Sequence, residues 1–315
     1  NIDEIINSVY YKTDIMSANL ALDRKMKNRE FVPDLILYTK GAYAEMYKKQ
    51  DSVFVTKRAV AVNFVQNDSV YIHGKKLMVT GKEGNRIIRA FNNVRFFKTD
   101  MSGKCDSIHS SSKTALTKLI GNPILWNAEN QITGDVMHLI GNNNTQKLDS
   151  LKVLNNTFIV SKDTIGTGYN QVKGQNLYGK FKEGKLHDVD IIKNAEVIYY
   201  MRNEAQELIG INKNVSSKIN LIIEKNEIET ITFFQQVDGD IFPEKDLPEN
   251  ARKLRGLVWR GDERIKSKDD IFPPEENEDN EKIAKATKSA EAKENVPMKV
   301  RKETLNYDKK KKRNK

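Results

Sequence analysis

Gln131-Ile132-Thr133-Gly134-Asp135-Val136-Met137-His138-Leu139 is followed by Asp149-Ser150-Leu151-Lys152-Val153-Leu154, by Thr157-Phe158-Ile159-Val160 and by His187-Asp188-Val189-Asp190-Ile191-Ile192. Each run is short, and a glycine, an asparagine or a charged turn lies between one and the next. The same texture holds from Leu116 to Tyr200, where no stretch keeps helical spacing for long. Short alternating runs at even intervals predict an all-β sandwich, barrel or stacked sheet.

Working outward, the pattern sets in at Leu35-Ile36-Leu37-Tyr38 and returns in Lys218–Ile223 and Ile228–Phe233. Three imperfect repeats run through it. Asp-Ser opens a strand at Asp51-Ser52, Asp68-Ser69, Asp106-Ser107 and Asp149-Ser150; the Asp side chain can cap a turn there. Gly134 and Gly174 sit inside strand patterns, which marks a bulge or a close backbone approach. Gly121-Asn122-Pro123 is echoed by Lys193-Asn194-Ala195. Such repeats predict stacked hairpins, with a hairpin tip at Gly184.

Domain organisation follows from composition. Residues 1–34 are an ambiguous N-terminal segment, helix or strand. Residues 35–261 are the β body, with Leu254–Trp259 a last strand or an ordered cap. Residues 262–315 are rich in Asp, Glu, Lys and Asn and are expected to form a disordered polar and basic tail. The formal net charge of the 315-residue chain is +10. About six of those charges lie in Lys309–Lys315, so the body is only modestly basic. Hydrophobic residues make up 38% of the chain, enough for a core once the tail is set aside. No run approaches the roughly 20 apolar residues of a membrane span. The chain opens on Asn1 rather than methionine, read as an N-terminal segment removed or not included.

Catalytic chemistry finds little footing. His73, His109, His138 and His187 are scattered, without metal-ligand spacing. Strand spacing would put Cys105 and His109 on one face two pairs apart, and Cys105 reads as a small buried thiol. Gly81-Lys82-Glu83-Gly84 is a hairpin turn with no helix after it, hence no phosphate loop. Tyr71, Phe91, Phe96, Phe97, Trp126, Tyr199 and Tyr200 read as core and cross-strand pairs. No enzyme, cofactor, metal or specific nucleic-acid partner is expected.

An ordered series carries a resemblance. Asp68–Leu77 leads into Arg86–Phe91, Val94–Lys98 and Gly103–Ser107; Asn122–Trp126, Gln131–Asp135 and Leu148–Leu151 follow. From Gly41 to Trp259 the chain resembles the OstA-like proteins of Bacteroidetes-type bacteria, relatives of the LptA/LptC/LptD-N-terminal family. The resemblance implies an open, V-shaped two-sheet β-jellyroll (a β-taco) in the periplasm or at the outer membrane. Its apolar trough would hold the acyl chains of lipopolysaccharide. Other transport proteins, or copies of the chain head to tail, would join by strand addition at its edges.

Alternation supplies the expected trough lining: Val70 and Ile72, Leu77 and Val79, Ile88 and Ala90, Val94 and Phe96, Ile132 and Val136, Leu151 and Val153, Phe158 and Val160, Val189 and Ile191. A closed core built by the same residues is the alternative, which would make the chain a structural β-repeat protein of the cell envelope. A third reading has residues 309–315 contacting nucleic acid through charge alone.

Overall fold

Strand after strand of this chain bends at the same place. The structure is a computed structural model that describes residues 37–40, 43–47 and 52–277, apart from 57, 66–67, 83, 128, 146, 164 and 225–226. The N-terminal segment and the tail beyond 277 lie outside the described residues.

The strands are β1 (Leu37–Lys40), β2 (Tyr43–Tyr47), β3 (Ser52–Thr56), β4 (Val60–Val65), β5 (Asp68–His73) and β6 (Lys76–Thr80). Next come β7 (Ile87–Lys98), β8 (Met101–Ser111), β9 (Leu116–Ile120), β10 (Ile124–Asn127), β11 (Asn130–Thr133) and β12 (Val136–Gly141). The last six are β13 (Leu148–Lys162), β14 (Tyr169–Lys182), β15 (Lys185–Arg202), β16 (Leu208–Glu224), β17 (Glu227–Phe234) and β18 (Asp238–Phe242). All pairings are antiparallel, and their registers resolve two half-sheets joined along a crease.

The front half runs β2, β3, β6, then 87–91 of β7, 107–111 of β8, β9 and β12. It continues through 148–154 of β13, 176–182 of β14, 185–192 of β15, 218–224 of β16 and ends on β17. The back half runs β1, β4, β5, 94–98 of β7, 101–105 of β8, β10 and β11. It continues through 157–162 of β13, 169–174 of β14, 195–202 of β15 and 208–216 of β16 to β18. The long strands β7, β8, β13, β14, β15 and β16 cross the crease. The short ones pair up, one in each half, to make the remaining rungs.

The crease has a chemical signature. Asn92-Asn93, Gly121-Asn122, Asn155-Asn156, Lys193-Asn194 and Gln235-Gln236 are consecutive left-handed pairs, with φ between 48° and 80°. They fall on every second rung: β7, β9 to β10, β13, β15, and β17 to β18. Asparagine is enriched there because its short amide tolerates that backbone. The intervening rungs meet these corners with backbone bonds, Asp106 N–H to the Gly121 carbonyl at 3.0 Å and Ser217 N–H to the Gln235 carbonyl at 3.0 Å. The Gly121-Asn122 and Lys193-Asn194 echo in the sequence is thus one corner used twice.

Gly134 and Gly174 mark close approaches on those intervening rungs. A Cβ at Gly134 would lie 2.2 Å from Val153 Cγ1, and one at Gly174 would lie 2.5 Å from Ile191 Cγ2. Gly134→Ala is therefore expected to cost roughly 1–3 kcal/mol by overpacking. A lowered urea midpoint at unchanged slope would show it; an unchanged midpoint would refute the close approach.

The halves face each other across one continuous apolar core. Leu77, Leu119, Met137, Leu151, Leu177 and Ile191 come from the front and Phe96, Leu125, Ile132, Ile159 and Val197 from the back. The outer surface of the back half is covered by a strap, residues 243–272. Its Leu247 and Leu254 are buried against Phe158, Val160, Ile198, Tyr200 and Ile211. Farther on, Ile265 and Ile271 are buried against Val60 and Val62, and Phe272 packs beside them.

Two buried glutamines hold the strap by its backbone. Gln171 Nε2 donates to the Arg252 carbonyl at 2.9 Å and its Oε1 accepts from Leu254 N–H at 2.8 Å. Gln131 repeats the arrangement, donating to the Val258 carbonyl at 2.8 Å and accepting from Arg260 N–H at 2.7 Å. Each amide pairs with the strap as a neighbouring strand would. Lys104 Nζ adds an ion pair to Glu263 at 2.8 Å. Hydrogen bonding from Arg260, followed by Lys104, outweighs desolvation and lowers the Glu263 carboxyl to about 2.

Leu254–Trp259 is thus an ordered cap rather than a strand. The expected tail corresponds to a different arrangement at its start, since residues 262–272 carry the buried Ile265 and Ile271. Two isolated isoleucines among charged residues give no periodicity to read. Residues 273–315 form a separate unit, whose described part is one helical turn at 274–277.

Candidate functional site

The inner face is the site that sequence alternation pointed to. Ile72, Leu77, Val79, Ile88, Ala90, Val94, Phe96, Ile132, Leu151, Val153, Val189 and Ile191 meet in the core between the half-sheets, and Val70 packs at its margin. Three expected lining residues lie elsewhere. Phe158 and Val160 belong to the opposite face of β13, under the strap; Thr157 and Ile159 are their buried neighbours of the other phase. Val136 lies on the outer surface of the front half, in register with Ile120 and Leu154. Met137 and Leu139 point inward instead. The reason is the corner at Gly134-Asp135. Ile132 is inward before it, and the odd number of residues to Met137 reverses the phase.

The core residues are nearly all less than a tenth exposed, so this face is closed by its own side chains. Closure involves the lips, the half-sheet margins remote from the crease. Leu186 N–H, near the β14–β15 tip of the front half, donates to Asn127 Oδ1 at 3.2 Å. Asn127 Nδ2 donates in turn to the Asp100 carbonyl at the β7–β8 tip of the back half, at 3.0 Å. Asn127 is only 2% exposed, so its amide is a buried polar bridge across the lips. A Cβ at Gly184 would sit 2.6 Å from Asp100 Oδ2, which places the two tips side by side. The tips that meet belong to different rungs, so the half-sheets cross obliquely, as twisted sheets do.

Toward the C-terminal end the inner surface of the back half turns polar. Asn212, Asn214 and Ser216 replace apolar residues, and Asn214 Nδ2 donates to Asn212 Oδ1 at 2.6 Å. Beyond them, among the described residues, β17 and β18 each pair on one side, with β16. Their described surroundings expose Phe234, Val237 and Ile241, together with Ile209 and Val215 of β16. Among the described residues, the other edge of each strand thus carries backbone donors and acceptors beside exposed apolar side chains.

Cys105 lies in the core, where burial pushes its thiol up to about 12. His73 is buried with Nδ1 2.8 Å from the Ala59 carbonyl. Among the described residues no group of three or more His, Cys, Asp or Glu is placed to hold a metal ion. Nor is any described helix long and apolar enough to cross a membrane.

The structure is similar to that of LptH. That crystal structure is of the LptA-homologous periplasmic component of the lipopolysaccharide transport device of Pseudomonas aeruginosa. Identity is 14%, the match covers 46% of this chain and 99% of that one, and the TM-score is 0.35. No family model matches the sequence. No curated protein matches it either.

Sequence reading found most of the inner face and missed two features. Met137, Leu139 and Leu177 needed the corner parity to be assigned. Gln131 and Gln171 carry no signal as strap holders, because a buried glutamine and a polar surface one look alike in sequence.

Proposed function

We propose that this chain is a periplasmic lipopolysaccharide-transport component that takes lipid A acyl chains onto its inner face. Extension toward the outer membrane proceeds by strand addition at its edges. The observation that carries the reading is the inner face itself, apolar through most of both half-sheets. Each acyl methylene buried there contributes about 0.8 kcal/mol, so a few chains can offset the separation of the lips. The exposed apolar side chains around β17 and β18 support the strand-addition part. A second reading, favoured by the near-complete burial of the same face, is a structural β-repeat protein of the cell envelope whose interior stays closed.

The two readings separate when the lips are locked. Asp100→Cys with Gly184→Cys, in a Cys105→Ala background, places two thiols at the tips that already touch. The reduced protein is expected to bind purified lipopolysaccharide and the oxidised protein to lose that binding, with recovery on reduction. Failure of the reduced form to bind, or equal binding by both forms, would remove the acyl-chain reading.

A further inference from the structure

The outer surface of the front half carries a row of basic residues that the inner-face reading does not use. Arg89 of β7 lies opposite His109 of β8, and His109 opposite Lys118 of β9. Lys118 then faces His138 of β12, which faces Lys152 of β13. Five basic side chains thus stand in single file on five adjacent strands, about 4.8 Å apart per strand. The flanking rows hold no carboxylate. Ile87, Ser111, Leu116, Ile140 and Ser150 lie on one side, and Phe91, Ser107, Ile120, Val136 and Leu154 on the other. Each histidine stands directly between two permanent cations, where like charges opposite each other would weaken the sheet once it is protonated. None of the five has an ion-pair partner among the described residues.

We propose that this row binds a linear anionic glycan, a sugar chain bearing carboxylate or phosphate groups, laid across strands β7 to β13. Single file suits a chain. A bilayer surface is a poorer match, because sheet twist of roughly 20–25° per strand turns neighbouring cations away from any one plane. The flanks offer Phe91 together with aliphatic and hydroxyl groups, which suit the C–H faces and hydroxyls of sugars. The row continues into Tyr178, 39% exposed; with Phe91 at the β7 end this makes two widely separated rings rather than the continuous series that a nucleic-acid strand stacks on. Beyond it Asp190 is neutralised by Lys218 at 2.8 Å.

The two histidines make the row sensitive to acid. Desolvation, then Arg89 and Lys118, lowers the pKa of His109. Desolvation, then Lys118 and Lys152, lowers that of His138. Their remaining neighbours, along each strand and diagonally, are the apolar and serine residues of the flanking rows. Protonation is therefore disfavoured in the free fold, and a bound anion relieves that cost. Binding tightens as pH falls. The free protein shows the opposite sign: stability rises with pH through the histidine range, because the unfolded chain holds these protons more readily.

The test uses the full chain and an octamer of polygalacturonate, measured calorimetrically at about pH 7.5 and 5.5. A neutral malto-octaose, a phosphorylated oligosaccharide, oligo(dT) and phosphatidylglycerol vesicles serve as comparators. The anionic sugars are expected to bind, more tightly at the lower pH, and a preference between them identifies carboxylate or phosphate as the better group. Lys118→Glu is expected to weaken binding about tenfold or more. Lys185→Glu, the same charge change at an exposed hairpin tip, should leave it nearly intact. His109→Gln with His138→Gln should abolish the pH dependence. The proposal is overturned if neither anionic sugar binds, if malto-octaose binds equally, if both Lys→Glu changes act alike, or if oligo(dT) or vesicles bind more tightly. None of these outcomes depends on whether the inner face takes lipid.

Discussion

Ending the chain after Phe242 is expected to make the protein aggregate. That cut removes the strap, and with it the cover over Phe158, Val160, Ile198, Tyr200 and Ile211. It also uncovers Val60 and Val62 beneath Ile265 and Ile271. An apolar surface of that extent on a β-sheet is an aggregation site. Graded variants give the same result in smaller steps. Leu254→Ala should cost about 2–5 kcal/mol as a buried leucine truncation. Gln131→Leu and Gln171→Leu each strand one carbonyl and one N–H of the strap, at about 1–3 kcal/mol per buried group left unsatisfied. Size-exclusion chromatography and denaturant midpoints check all three. A monomeric truncated protein with an unchanged midpoint would mean that the strap only rests on the sheet.

Aspartate at Met137 and aspartate at Val136 should differ sharply in their effect. Met137 is fully buried in the core between the half-sheets. A carboxylate there has no partner, and a loss above about 4 kcal/mol is expected, enough to unfold a marginal domain. Val136, one residue earlier, faces outward beside the cationic row, and Val136→Asp should stay within about 0.5 kcal/mol. Thermal melts of the two variants decide the face assignment. Comparable losses in both would show that the phase reversal at Gly134-Asp135 has been misassigned.

That pair also shows what could be read from the residues alone. Alternation within a strand was legible, and Leu77 with Val79, Ile88 with Ala90 and Val189 with Ile191 lie inward as it implied. The all-β architecture was legible from the same signal. Alternation across a corner was not. Asn92-Asn93 carries Ala90 to Val94 with the phase kept, whereas Gly134-Asp135 carries Ile132 to Met137 with the phase reversed. Deciding between them needs the pairing partners, which are remote in sequence. Phe158 and Val160 illustrate a second limit. Both faces of β13 are apolar here, one toward the core and one toward the strap, and a run apolar on both faces names no inside. The cationic row was invisible for the same reason as the strap contacts. Arg89, His109, Lys118, His138 and Lys152 are spread over more than sixty residues, and only registration puts them side by side.

The left-handed corners fall on every second rung, each facing a neighbour with a different bend. A creased sheet of this kind has a unit cell of two passes of the chain. Relatives or designs of other lengths should therefore gain or lose whole up-and-down pairs. An odd insertion would set two identical corners against each other and interrupt the crease there.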